Sequence, residues 1–363
     1  MGRSLPLLLL AISCAAYADD PTGRLPMTVD AFPQAVHKPY TVDQGLPSNT
    51  VLTIQVSSGG TLVTMTDGGA AGFANGRWAP LNNELVPEKD ALTEDEMMAL
   101  RTVAGATVKV RDVARRGSEV AVAADLGLFV SQAGAWHLAL PQDGPERWAP
   151  VDVRAVAYDG EGRLWFAAPQ GVGRRLTGET WDLYTGANGL PFNDFTCMAA
   201  GGDSVWFGTT NGAIQFRNGQ FSFRQGRRWL LDNEVRDIAV DSEGDAWIAT
   251  AQGVSCITDQ RMTLAEKAQF FEDEIERYHR RTEFGYVNPA RLASPGDKST
   301  ATPVYTDNDG HFTGLSLGAV SLGYAATGRE KLKEDAQRAF SALAFLSAVT
   351  RGGTHPAPEG FIA

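Results

Sequence analysis

Apolar and polar residues alternate with a period near two through residues 153–158, 172–176, 213–216, 235–240 and 254–257. Successive side chains of a strand point to opposite faces, so the pattern predicts a run of short, half-buried strands. From Arg261 onward the period lengthens to about 3.6 residues. Thr263 and Glu266 have the spacing of a capping box, and Leu264, Ala268, Phe271, Ile275 and Tyr278 then fall on one helical face. After a loop containing Pro289, Pro295 and Gly296, a second helix is predicted from His311 to Ala326. It is apolar nearly all round, which predicts burial on both sides. A third helix over 329–349 places Leu332, Ala336, Phe340, Leu343 and Leu346 on its apolar side. The pattern therefore divides the chain into a strand-rich part and a helical part.

The strand-rich part repeats. Residues 159–171, 202–212 and 241–253 superpose, with weaker copies at 59–69 and 117–127. Their closing glycines are Gly69, Gly127, Gly171, Gly212 and Gly253, at steps of 58, 44, 41 and 41 residues. Each copy reads as a strand, a turn rich in Asp, Gly and Glu, a second strand, a turn closed by Gly, a third strand and often a fourth. Four antiparallel strands recurring about every 40 to 45 residues is the period of a β-propeller blade. Trp165, Trp206 and Trp247 each precede the closing glycine by six residues. A two-sheet sandwich gives no reason for that recurrence, so the Trp is expected to fill the wedge between neighbouring blades. The long first step holds a polar insertion at 86–96, which reads as an excursion from one face.

Two further segments carry a resemblance. Tyr40-Thr41-Val42-Asp43-Gln44-Gly45-Leu46-Pro47-Ser48-Asn49 and Tyr184-Thr185-Gly186-Ala187-Asn188-Gly189-Leu190-Pro191-Phe192-Asn193 each lead into a strand. With the D-x-x-G-x-x-W-x-[GA]-T-x-x-G pattern that follows, residues 40–258 resemble the two-component regulator propeller repeat. That resemblance implies a mainly β fold, a propeller of about five visible blades of four antiparallel strands. The family forms periplasmic sensing propellers of hybrid histidine kinases and also occurs in exported proteins without a kinase. No kinase, receiver or spanning segment is visible here, so signal transduction does not carry over. The tail at 306–314 and 321–328 resembles the opening helices of the (α/α)6 toroids of several carbohydrate-active enzymes. This implies that residues 259–363 are an α-helical segment and part of an incomplete domain.

Candidate chemistry is sparse. Asn49, Asn193 and Asn233 lie 20, 19 and 20 residues before their closing glycines. An Asn there can cap the turn entering each inner strand by bonding backbone two residues on. The same turns gather at one mouth of a propeller, so Asp43, Asn49, Asn188, Asn193, Asp194 and Asn233 are the candidate ligand-binding residues. In the tail, Asp307, Asp309 and His311 form the densest titratable cluster and are the candidate catalytic residues, fit for general acid/base work on a sugar. Asp and Asn ahead of a helix are equally routine caps. The stretch fails the calcium-loop template, with Tyr305 in the first ligand position and Ser316 in the twelfth. Neither metal nor cofactor is expected, and no nucleophile elbow, zincin, phosphate-loop or dinucleotide motif occurs.

Composition sharpens the picture in three ways. All eight Trp precede Gly253, which fits the split into two parts. The net charge of −11 offers no basic surface for phosphates, so nucleic acid is not an expected partner. Arg3, an apolar stretch at 5–12 and Ala16-Tyr17-Ala18 read as an export signal cut after Ala18, followed by a linker at 19–39. A lipid anchor on Cys14 is disfavoured because Ala11 stands where such signals carry Leu. The mature chain is expected to be periplasmic or secreted, without a membrane span, and Cys197 and Cys256 to be free buried thiols. The leading expectation is an exported ligand-binding, sensor-like propeller that recognises an extracytoplasmic ligand such as a glycan, or a protein partner. The alternatives are a glycoside hydrolase-like enzyme with an accessory propeller, and an assembly scaffold.

Overall fold

The computed structural model describes residues 30–86, 89–177, 180–294 and 296–358. The expected export signal at 1–18 and the Cys14 position lie outside them. The chain forms two compact units, Pro33–Arg261 and a second one that contains Met262–Ala363.

The first unit is five sheets of mainly antiparallel strands. Blade 1 runs through Val51–Val56, Leu62–Thr66, Gly69–Ala74 and Arg77–Leu81. Blade 2 comprises Val110–Arg116, Glu119–Ala124, Gly127–Gln132 and Ala135–Leu138. Blade 3 comprises Ala155–Tyr158, Leu164–Ala168, Gly171–Thr177 and Thr180–Tyr184, with the short hairpin Gln142–Asp143 and Glu146–Arg147 added at its outer edge. Blade 4 comprises Phe195–Gly201, Ser204–Thr209, Gly212–Arg217 and Gln220–Arg224. Blade 5 has only Asp237–Val240, Ala246–Thr250 and Gly253–Met262 from its own stretch of sequence, and its outer strand is Phe32–Tyr40. Residues 32–39, expected as linker, are thus a strand. Pro33 and Pro39 hide it in the sequence, and an edge strand tolerates proline because one side needs no ladder bond.

The innermost strands lie side by side in the order blade 2, 3, 4, 5, 1. Separate apolar clusters fill the wedges between blades 2 and 3, 3 and 4, 4 and 5, and 5 and 1. Trp165, Trp206 and Trp247 sit in three of these, at 1%, 1% and 5% exposure. The remaining face of blade 2 meets no blade. Helix α1, Glu94–Ala104, covers it, packing Met97, Leu100 and Ala104 against Val113, Val120, Val122 and Phe129. The segment expected as an excursion, 86–96, thus supplies the first turn of α1. Its polar look comes from the outward side of α1 and from Glu96, which closes the Thr93 capping box and pairs with Arg115 at 2.8 Å.

The turn motif has a physical reading. Asp241 Oδ1 accepts from the backbone N–H of Glu243 and Asp245, at 3.0 and 2.9 Å, while Oδ2 accepts from the Trp247 indole at 2.8 Å. Asp159 does the same for Glu161, Arg163 and Trp165. One carboxylate thus shapes the loop and satisfies a buried indole six residues later. The closing glycine is forced by crowding as well as by its positive φ. A Cβ on Gly171 or Gly253 would stand 2.2 or 2.4 Å from the carbonyl oxygen of Tyr184 or Tyr40 on the outer strand.

Hydrogen bonds also link blades near the axis. Asp237 Oδ2 accepts from Ile54 N–H of blade 1 at 2.9 Å, and Asp112 Oδ2 from Val156 N–H of blade 3 at 3.0 Å. Asp112 and Asp237 hold equivalent places on their inner strands, which Thr53, Ala155 and Cys197 occupy in the other blades. Lys89, from the insertion, donates to Asp237 Oδ1 at 2.7 Å. Burial raises both carboxyls above their usual range, Asp112 to about 6. Cys197 and Cys256 are free and buried, and burial pushes both thiols up to about 12.

In the second unit, α2 spans Leu264–Glu274 and continues into a wide turn, Ile275–His279. Two small hairpins lead to α3, Asp309–Thr327, and α4, Glu330–Val349, which pack on each other. The capping box of Thr263 and Glu266 forms as expected. Of the face expected on α4, Leu332 is buried but Phe340 is 64% exposed, and α3, expected to be buried all round, leaves Leu315 and Leu322 60% and 74% exposed. The buried positions are Thr313, Ser316 and Val320 of α3 and Leu332, Asp335, Ala339 and Ala342 of α4. Small side chains let two helix backbones approach closely, a preference that a count of large apolar residues overlooks.

Two outcomes follow. Asp241→Ala strands the Trp247 indole and two loop N–H groups, and should cost about 3 kcal/mol in urea unfolding, against under about 0.5 kcal/mol for the neighbouring Ser242→Ala. The folded protein binds a proton at Asp112 more tightly than the unfolded chain does, so this group adds stability as pH falls from about 6 to about 4. Relative to wild type, Asp112→Asn should therefore gain about 1 to 2 kcal/mol between pH 4 and pH 8, read from paired unfolding curves; a constant difference would refute the titration.

Candidate functional site

In a four-stranded meander, the loops that cross from one blade to the next share a face with the turns between second and third strands. Backbone bonds confirm this, with Thr210 N–H on Asp194 O and Asp67 N–H on Thr50 O, both at 3.1 Å. The residues expected to bind ligand are gathered on this rim, in the crossover loops at 41–50, 185–194 and 225–236. The first two loops fold alike. Thr41 and Thr185 cap a single helical turn in which Gln44 and Asn188 reach back to the capping residue, and Gly45 and Gly189 close it at φ 97° and 100°. Leu46 and Leu190 then anchor each loop at 4% and 6% exposure.

Most of the candidate polar groups are partly engaged in building these loops. Asn49 Oδ1 accepts from Val42 N–H at 2.9 Å, and Asn233 Oδ1 from Gly226 N–H at 2.8 Å. Asn193 Nδ2 donates to Pro169 O at 2.6 Å, and Asn188 Nδ2 to Leu183 O at 2.8 Å. Asp194 Oδ2 accepts from the Thr210 hydroxyl at 2.9 Å. Asp43 is exposed, and its backbone carbonyl accepts from Arg77 at 3.2 Å. Asn49 Nδ2 and Asn193 Oδ1 have no hydrogen bond among the described residues and keep a donor and an acceptor for a ligand.

In the tail, Asp309 starts α3, and its Oδ1 accepts from Thr306 N–H and hydroxyl at 3.3 and 3.1 Å. Asp307 and His311 are exposed. Among the described residues no group of three or more His, Cys, Asp or Glu is arranged to hold a metal ion. Nor is any described helix long and apolar enough to cross a membrane.

Sequence reading missed the axial set of Asp112, Asp237 and Lys89. Two of the three had a signal, since Val110-Arg111-Asp112-Val113 and Val235-Arg236-Asp237-Ile238 repeat a carboxylate inside an apolar strand. It also missed two clefts on the opposite face. One, of about 340 Å³, lies between blades 4 and 5; the other, of about 240 Å³, lies between blades 3 and 4. Both flank the tight Gly202–Asp203 turn of blade 4.

The family model for the two component regulator propeller matches residues 230–252, the entry loop and first two strands of blade 5. No curated protein matches the sequence. Among solved structures, the extracellular domain of a proposed hybrid two-component system from B. thetaiotaomicron is 15% identical with a TM-score of 0.39, over 74% of this chain and 46% of its own. This chain therefore spans less than half the length of that domain. A second such domain from the same organism is 16% identical with a TM-score of 0.28, over 58% of this chain and 33% of its own. Virginiamycin B lyase from Staphylococcus aureus is 11% identical with a TM-score of 0.42, over 62% of this chain and 99% of its own. At these identities and scores, none of the three says anything of ligand or activity here. The stretch of blade 5 at 230–252 is thus similar to the two-component regulator propeller.

Proposed function

We propose that this is an exported, sensor-like propeller that binds an extracytoplasmic ligand, in chemical terms a glycan, on the rim of its crossover loops. The observation that carries the reading is the duplicated loop at 41–50 and 185–194. Each copy is fixed by a capping box, a left-handed glycine and a buried leucine, yet presents amide and carboxylate groups at the same rim. Rigid backbone with polar side chains at the tip limits the ordering cost of binding. Amides and carboxylates together match hydroxyl groups, which both donate and accept. The propeller would then be the recognition element and the helical unit a neighbour with its own role.

A glycan array probed with residues 19–363 should retain at least one oligosaccharide class. Asp43→Ala combined with Asn193→Ala should weaken that binding at least tenfold while the melting temperature stays within a few degrees. Undiminished binding by the double variant would place the ligand off this rim.

A further inference from the structure

The three crossover loops that carry the matching Asn49, Asn193 and Asn233 differ in charge. Residues 41–50 and 185–194 contain no Lys or Arg. The loop at 225–236 opens instead with Gln225-Gly226-Arg227-Arg228-Trp229, directly after Arg224 at the end of the outer strand of blade 4. This loop is fixed in place. Gly226 takes a φ of 74°, its N–H donates to Asn233 Oδ1 at 2.8 Å, and its carbonyl accepts from the N–H groups of Trp229 and Leu230, both at 2.9 Å. Leu230 is fully buried.

Arg224 and Arg228 both stack on Trp229, with Cζ 4.7 and 5.2 Å from the ring centre. Stacking uses the flat face of a guanidinium and leaves the N–H groups at its edge for an acceptor. Among the described residues Arg224, Arg227 and Arg228 have no hydrogen bond and no ion pair. Burial holds Arg224 below the usual arginine range; Asp259 opposes that shift and the like charge of Arg228 adds to it. Asp259 is itself paired with Arg217. Within the loop, Asp232 uses its Oδ1 on the N–H of Glu234 at 3.0 Å, and neither acid pairs with the three arginines. The Nε of Arg224 is buried, but its Nη nitrogens keep contact with solvent, and Arg227 and Arg228 are exposed.

Two cations gathered on one indole, one of them half-buried and both without a counter-charge, favour an incoming anion. An ammonium would be repelled, and a neutral hydroxyl gains only an ordinary hydrogen bond. A carboxylate or sulfate gains charge-assisted bonds to the guanidinium edges, which are roughly twice as strong. We infer that the glycan bound at the crossover-loop rim is acidic, its carboxylate or sulfate groups held by Arg224 and Arg228 with Arg227 beside them. This rests on glycan binding at the rim, proposed above, and adds the charge of the ligand to it.

The test is calorimetric titration of the full chain in 50 mM NaCl with three oligosaccharides of equal length. Tetragalacturonate is acidic through carboxylates, a κ-carrageenan tetrasaccharide through sulfates, and maltotetraose is neutral. At least one acidic tetrasaccharide should bind at least tenfold more tightly than maltotetraose. Arg224→Gln combined with Arg228→Gln should weaken that binding at least tenfold, and the single Arg228→Gln, at an exposed position that does not threaten folding, at least threefold. Arg291→Gln, an exposed arginine of the second unit, should leave it unchanged. Acidic and neutral tetrasaccharides binding alike, or the Arg228→Gln variant binding as wild type does, would overturn the acidic assignment. If maltotetraose still binds and loses affinity in the Asp43→Ala, Asn193→Ala variant, the rim reading stands while the acidic one falls; if no oligosaccharide binds, both fall.

Discussion

A sheet with two apolar faces must be covered on both, and that requirement governs the whole propeller. Four of the wedges between blades are filled by side chains of the blades themselves, with Trp165, Trp206 and Trp247 supplying the bulk. The outer face of blade 2 has no blade against it, and α1 takes that place through Leu100, which is fully buried. Blade 5 has too few strands of its own, and the segment before blade 1 completes it. Residues 32–40 and 253–262, far apart in sequence, are thereby joined in one sheet.

The strand count and the Trp position were legible because a repeat multiplies a weak signal. One alternating run could belong to many folds, but three copies of a Trp six residues before a Gly, two of them with an Asp six residues before the Trp, leave few. Residues 32–39 were illegible because two prolines disguise an edge strand. The role of the insertion was illegible because the apolar side of α1 is narrow and broken by charges. In the tail, Leu332 buries as its place suggested, but Leu315, Leu322 and Phe340 are exposed, and small residues such as Ser316, Ala339 and Ala342 hold buried positions that a count of large apolar residues passes over.

The rim residues illustrate a different limit. Asn49, Asn193 and Asn233 stood out by their recurrence, and recurrence is what a loop-building role produces too. The structure shows that each uses part of its amide for the loop, and the proposal rests on what remains. The clefts gave no signal of that kind. They flank the two-residue Gly202–Asp203 turn, and such a turn is told from its longer counterparts only once the strand register is known.

Completion of blade 5 by the segment Phe32–Tyr40 is the central claim of this architecture, and amide hydrogen exchange of the native protein tests it most directly. The amides of residues 32–40 should be protected to the same degree as those of 253–262, their partners in blade 5. Exchange of 32–40 within seconds, at the rate of an unstructured chain, would contradict that pairing.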